Sequence, residues 1–308
     1  MTGAVLAREL GITRSAVHKR IESLRAAGVE IHARPGHGYA LMQPLDMLYR
    51  ETLLAHLAPA TRAQLHSLQI EFETLSTQSL ALATTTPETG CAVFLAERQT
   101  AGQGRRGRVW ASPMAANLYL SLSRRFDRGF ATLSGLSLAV GVAVAQSLRQ
   151  LDYAQVGVKW PNDLLAGERK LGGILIQLRG EAQGPCDAVI GIGLNVRMPA
   201  TAAGEIDQAW CDLAQLMPGK SLSRNALAAA LLDSLLPALA QFETEGLAAF
   251  LPRWQEFDAL DGHVVRVLDG TRTHEGIALG VDAVGALRVR IGGSERQFHS
   301  GEVSLRRV

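Results

Sequence analysis

The sequence predicts an α+β protein in three parts. The first forty-odd residues run helix, glycine, helix, hairpin; the middle alternates strand-like and helix-like apolar runs; the end is a series of short strands punctuated by glycine. At 308 residues the chain exceeds one ordinary core, which suits two or three compact units. Hydrophobic residues make up 47% and charged residues 19%, the balance of a globular chain. A net charge of +2 supplies no global field for nucleic acid, so any such contact must come from a local patch. Cys91, Cys186 and Cys211 lack CxxC spacing, which argues against zinc, a redox pair or a disulfide framework and suits a reducing cytoplasm. No signal-peptide pattern opens the chain, and charges or glycines are expected to interrupt each apolar run short of membrane-spanning length.

Residues 1–43 form the first unit. Ala4 to Leu10 read as a helix that Gly11 breaks, and Thr13 can cap a second helix with Val17, Ile21 and Leu24 facing inward. Arg14, Ser15, His18 and Lys19 are left on its outer face. VEIHARPGHGYAL then alternates around a Pro-Gly-His-Gly turn and predicts a hairpin. Together these resemble a winged helix-turn-helix, whose second helix enters a DNA major groove; a small protein-contact module would share the topology. Such modules normally carry a helix before this pair, so the first helix is expected to be missing.

Residues 44–60 read as a linker, an apolar helix from Pro44 to about Pro59. Residues 61–260 read as an α/β domain of catalytic size. Its strands are expected near His66–Phe72, Cys91–Glu97, Asn117–Ser123, Val156–Trp160, Leu171–Leu178 and Ala188–Val196. Helices are expected near Thr77–Thr84, Leu133–Gln150, Arg224–Gln241 and Glu243–Asp258. Residues 261–308 carry short strands between glycine-rich turns and predict a small closed barrel.

Three clusters carry chemistry. In TAGQGRRGR, Thr100 to Arg108, glycines let backbone N–H groups approach an anion while Arg105, Arg106 and Arg108 offer forked donors. The Walker spacing is absent and no helical pattern follows, so the alternative to an anion cradle is a solvated basic loop. In VKWPNDLLAGERKLGG, Pro161 ends a strand and Gly167 turns a hairpin, so Lys159, Asp163 and Lys170 converge at strand ends beside Gly172 and Gly173. In VIGIGLNV, Gly191 and Gly193 within a strand signal close approach by a ligand or another backbone.

In this order and at these intervals the segments resemble the biotin protein ligase family, in its bifunctional bacterial form also called the biotin operon repressor. The resemblance spans nearly the whole chain, from the helix-turn-helix through QTAGQGRRGR, KWPND, RKLGGIL and GIGLN to the final strand, Gln297 to Leu305. It implies a class II synthetase-like central domain and an SH3-like C-terminal barrel. It implies two half-reactions: biotin and MgATP give biotinyl-5′-adenylate and pyrophosphate, then a lysine of a biotin carboxyl carrier domain, of acetyl-CoA carboxylase or a related carboxylase, takes the biotinyl group.

The same resemblance assigns roles. Arg105, Lys170, Asp163 and Lys159 are the catalytic candidates, with Asp163 orienting or deprotonating the acceptor lysine or else only capping its turn. Ser76, Thr77, Gln78, Gln99, Gly102, Gln103, Gly104, Arg105, Arg106, Lys170, Gly173, Gly191 and Gly193 are the candidates for biotin; Ser76 also reads as a helix cap. Arg105, Arg108, Trp110, Lys159, Asn195 and Trp210 are those for ATP and the adenylate, Trp210 lying in a 197–220 segment expected to fold over adenine. Leu75-Ser76-Thr77-Gln78 stands where Asp-Ser-Thr-Asn is common, and Gly102-Gln103-Gly104 where Gly-Arg-Gly is frequent. No protein motif for a metal is expected; Mg2+ comes with ATP. Operator DNA is an implied partner, a membrane is not, the chain is expected to be a monomer or homodimer, and the cytoplasm is the expected location. The competing functions are a non-catalytic biotin-sensing DNA-binding regulator and a lipoate-protein ligase.

Overall fold

The computed structural model describes residues 1–34, 36–42, 44–180, 184–199, 202, 206, 208–269, 272–299 and 303–307. Thr2 and Thr13 cap the first two helices, α1 (Gly3–Glu9) and α2 (Arg14–Ala26), their hydroxyls accepting from the Val5 and Ala16 amides at 3.3 and 3.1 Å. Gly11, at φ 61°, makes the turn between them. Val17 and Ile21 are buried, while Arg14, Ser15, His18 and Lys19 are exposed. The hairpin follows as β1 (Ile31–Arg34) and β2 (Gly38–Leu41); Pro35 in its turn lies outside the described residues.

The linker departs from expectation. Residues 44–49 are not helical; α3 (Arg50–His56) starts six residues late and α4 (Pro59–Gln64) follows. The reason is local: the amides of Leu48 and Tyr49 bond the side chains of Glu97 and Asn225 at 2.5 and 2.8 Å, so they are committed to the domain below.

The central domain is built on β3 (Leu65–Glu71), α5 (Thr77–Ala83), β4 (Cys91–Ala96), β5 (Leu118–Phe126), α6 (Leu136–Gln150), β6 (Val156–Lys159), β7 (Asp163–Ala166), β8 (Arg169–Gly180), β9 (Cys186–Leu194), α7 (Leu213–Leu216), α8 (Arg224–Glu245) and α9 (Leu251–Phe257). Its seven strands run in the order β3-β4-β5-β9-β8-β7-β6, parallel only between β3 and β4. The short strand β7 is not among the expected strands, although it forms the first arm of the hairpin expected at Gly167. Gly246, at φ 70°, caps α8 after Glu245 and Pro252 stands in the first turn of α9, so Glu243 lies in the last turn of the first helix and does not open the second.

Alternation along β5 sets the two faces of the sheet. Leu118, Leu120 and Leu122 join the core under α6 and α8, and Tyr119 and Ser121 face the side that carries α5. Two helical stretches, Phe130–Gln150 and Arg224–Glu245, are long and apolar enough to cross a membrane, with mean hydropathy 1.5 and 1.3. That corrects the expectation that every apolar run is interrupted; both spend their apolar surface on each other and on the sheet, the larger part of each being buried.

The C-terminal unit comprises β10 (Val264–Asp269), β11 (Arg272–Val281), β12 (Leu287–Ile291), β13 (Ser294–Phe298) and β14 (Val303–Arg307), paired in the order β13-β12-β11-β10-β14. It is not a separate bead: Trp160 in the central domain donates its indole N–H to the Gly285 carbonyl at 3.0 Å, and the side chain is almost wholly buried.

Candidate active site

A cavity of about 730 Å³ opens on the α5 side of the sheet. Ser76 caps α5 by accepting from the Ser79 amide at 2.9 Å, so its predicted structural role is real. Thr77 and Gln78 follow, both buried. The Gln99 Oε1 accepts from the Thr77 amide at 2.8 Å and its hydroxyl at 3.2 Å, while Gln99 Nε2 donates to Ser112 Oγ at 3.0 Å. Thr77 Oγ1 and Ser121 Oγ are 2.8 Å apart, Ser121 donates to Gln78 Oε1 at 3.2 Å, and Gln78 Nε2 donates to Gln177 Oε1 at 3.0 Å. This polar chain runs along one end of the cavity, whose walls also carry apolar residues such as Leu120, Ile174 and Ile192. Ser112, Ser121 and Gln177 are its unforeseen members; the alternation in LYLSLS is the signal that could have found Ser121.

The glycines serve close approach. A Cβ on Gly191 would stand 2.5 Å from Gln78 Oε1, and one on Gly193 would stand 2.5 Å from the Trp110 ring, which lies against the backbone of the paired residues Gly173 and Gly193. A Cβ on Gly102 would meet the Trp110 carbonyl at 2.5 Å. Each position therefore excludes a side chain.

The arginine loop is a small hairpin rather than a loose basic loop: Gln103 bridges Val109, and the Trp110 amide donates to the Gly102 carbonyl at 2.9 Å. Its tip is a single turn, Arg105–Gly107, with Arg106 in the left-handed region at φ 59°. Arg105 Nη1 donates to Asn162 Oδ1 at 3.0 Å, and Asn162 Nδ2 holds the Ile174 carbonyl at 2.7 Å. Burial presses the Arg105 pKa below its ordinary value; Arg106 adds to this and Asp163 opposes it. Gly104 lies in the same turn, while Gln103, Arg106 and Arg108 are exposed.

Across the cavity, Lys170 Nζ stands 2.7 Å from Asp163 Oδ1 and Lys159 Nζ 3.9 Å from Asp163 Oδ2, all three side chains being less than one-fifth exposed. Lys170 Nζ also lies 5.6 Å from the centre of the Trp110 ring. The Trp210 segment adds an extra run of backbone beside β8: the Lys170 amide donates to the Ala209 carbonyl and the Cys211 amide to the Lys170 carbonyl, both at 2.9 Å. Asn195 is buried and donates to the Cys211 carbonyl at 3.1 Å, so among the described residues its amide group fastens that segment. Much of 200–207 lies outside the described residues. Burial pushes the thiols of Cys91, Cys186 and Cys211 up, the last to about 11.

The loop's far stem reaches the N-terminal module. Met114 completes the apolar core made by Ala7, Val17, Ile21, Ala27, Val29 and Ile31, and its amide donates to the Ala27 carbonyl at 2.9 Å. Arg14, Ser15, His18 and Lys19 are on the exposed side of α2, away from the cavity lining.

Three family descriptions match the chain: the HTH domain over residues 1–40, the Biotin/lipoate A/B protein ligase family over 72–195, and the Biotin protein ligase C terminal domain over 262–306. The bifunctional ligase/repressor BirA of Escherichia coli (strain K12) is 39% identical over 305 residues, 99% of this chain and 92% of that protein. The biotin--[acetyl-CoA-carboxylase] ligase of Mycobacterium tuberculosis is 35% identical over 245 residues, 77% of this chain and 88% of that protein. Among solved structures, the biotin protein ligase from Aquifex aeolicus in complex with biotin and ATP superposes with a TM-score of 0.66 at 26% identity, over 79% of this chain and 99% of that one.

Proposed function

The chain belongs to the biotin protein ligase family, in its bifunctional ligase/repressor form, and from that premise we propose how its own residues carry out biotin ligation. One observation carries the reading: a cavity with a neutral polar chain at one end and Arg105, Lys159 and Lys170 gathered around Asn162 and Asp163 at the other. The neutral end suits a small urea, and the apolar walls suit its tail. Ser76, Thr77, Gln78 and Gln99 would meet the urea, with Gly191 and Gly193 making room for Gln78 and the Trp110 ring beside it and offering backbone groups at its edge.

In the first half-reaction a carboxylate oxygen of biotin attacks the α-phosphorus of ATP, the bond to the bridging oxygen breaks, and pyrophosphate leaves. Two anions must meet, so their repulsion sets the barrier and fixed cations lower it. Arg105 and Lys170 do this work, with Lys159 and Arg108 at the departing phosphates. Mg2+ enters as part of the nucleotide substrate; among the described residues no group of three or more His, Cys, Asp or Glu could hold it alone. Asn195, Trp110 and Trp210 border the adenylate.

In the second half-reaction the acceptor lysine attacks the acyl carbon and AMP leaves. A free lysine amine, with a pKa near 10.4, is protonated at neutral pH. Asp163 is the group placed to receive the acceptor's ammonium and its proton, once Lys170 has turned toward the adenylate. The acceptor is a biotin carboxyl carrier domain. Incubation with labelled biotin, MgATP and such a domain should label one acceptor lysine, and lipoate in place of biotin should leave it unlabelled; label from lipoate alone would overturn the reading.

The N-terminal unit we read as a winged helix-turn-helix that presents Arg14, Ser15, His18 and Lys19 to operator DNA, making the chain a biotin-responsive repressor as well. The C-terminal strands we read as an SH3-like barrel and the location as cytoplasmic. Pairing of two copies through the central sheet would give the two-fold symmetry that a palindromic operator requires.

A further inference from the structure

We propose that the buried ion pair Glu97–Arg224 is a positioning site that clamps both stems of the arginine loop and the linker of the helix-turn-helix unit onto one guanidinium, coupling pocket occupancy to the linker. The proposal rests on the ligase reading for its ligand. Glu97 lies two residues before Gln99, and Asn117 begins the chain on the loop's far side. Glu97 Oε2 stands 2.6 Å from Arg224 Nη1, with side chains 3% and 2% exposed. Arg224 Nε donates to the Asn117 carbonyl at 3.0 Å, and Nη1 also donates to the Asp46 carbonyl at 2.7 Å. The Arg224 amide bonds the Asp46 carboxylate, and the second Glu97 oxygen accepts from the Leu48 amide at 2.5 Å. The Ala115 amide donates to the Glu97 carbonyl at 3.0 Å, which ties one stem to the other. Asn117 in turn accepts from the Val196 amide at 3.0 Å, holding the start of the Trp210 segment on the same block.

The attraction of the two charges alone does not account for such a pair. Desolvating two charges costs several kcal/mol, and apolar residues of like volume often serve as well or better. What an apolar pair cannot do is set direction. One planar guanidinium here bonds three acceptors from three segments, which fixes their spacing; a lysine offers a point charge without that fork. A shift of the Gln99 stem when biotin binds therefore moves Glu97, and through it Leu48 and Asp46. The loop tip is fastened separately, by Arg105 to Asn162, so the clamp acts on biotin binding more than on the chemical step.

The test compares the parent with Glu97→Met/Arg224→Met and with Arg224→Lys, in the full chain. Three quantities are read: KM for biotin against kcat in acceptor labelling, the urea unfolding midpoint, and amide exchange at Leu48 with and without biotin. The double variant orphans the Leu48 amide and the Asn117 and Asp46 carbonyls, so it should unfold at a lower urea midpoint; well below that midpoint it should show a KM for biotin raised about tenfold with kcat within about threefold, the pattern of lost ground-state binding. Biotin should slow Leu48 exchange in the parent and leave it unchanged in both variants. Parent-like KM and biotin-dependent exchange in a folded variant would overturn the clamp. Should the double variant fail to fold, Arg224→Lys decides by the same two readings. Failure of the parent to label an acceptor would sink the ligase reading alone, since exchange at Leu48 still reports on the clamp.

Discussion

Lys170 in this structure holds its ammonium 2.7 Å from Asp163 and 5.6 Å from the centre of the Trp110 ring. Replacing it with alanine leaves Asp163 without its nearer cation and the reacting anions without one of their fixed cations. Lys170→Ala should slow pyrophosphate release by about a hundredfold or more, measured with biotin and MgATP alone. Asp163→Asn should act on the other step. Transfer from preformed adenylate to the acceptor should fall by about 10² to 10⁴, more than adenylate formation does, in single-turnover assays. Equal losses in the two steps would remove Asp163 from its assigned role. Gly193→Ala puts a methyl where the Trp110 ring lies, so indole fluorescence should change and biotin affinity fall. At this scale charge standing in a motif led to residues that line the cavity, as at Arg105 and Lys170. Ser112 was illegible, because a loop serine differs from a solvated one only through partners that the fold supplies, and Ser121 could be read only from the alternation of its strand.

Elements were legible wherever period and punctuation agreed. Gly11, Thr13 and the alternation in VIGIGL each marked a feature that formed. The 44–49 segment misled because its composition fits a helix while its amides belong to Glu97 and Asn225, residues 49 and 176 positions away from their partners. Tertiary bonds override local preference there. The end of α9 gives a pH prediction. Asp258 follows that helix, and burial raises its carboxyl to about 7, while its bond from the Leu260 amide works against the shift. The folded state thus holds the neutral form. The stability this gives is full below the ordinary carboxylate value of 3.8 and is lost as pH rises through about 7. Asp258→Asn keeps a neutral side chain at every pH, so its Tm should exceed the parent's at pH 8 and match it near pH 4 in thermal melts.

Across the whole molecule the three-part order was legible because each part has its own texture, and what lay hidden was how the parts touch. Trp160 stands in the KWPND motif, yet its indole reaches Gly285 in the C-terminal strands. Trp160→Phe would orphan that carbonyl at a buried contact. A loss of about 1–3 kcal/mol is expected in chemical denaturation, together with weaker ATP use, because the cavity is walled there by Leu260 and Leu305. At the other junction a single methionine from the stem of the arginine loop joins the core of the N-terminal module. Neither half is therefore whole alone. Severing the chain between them would strip Met114 of its covering and leave a gap among Val17, Ile21 and Val29, so a gene split at this joint would yield two damaged products, and a lineage discarding the N-terminal module would first have to rebuild the stem of its own arginine loop.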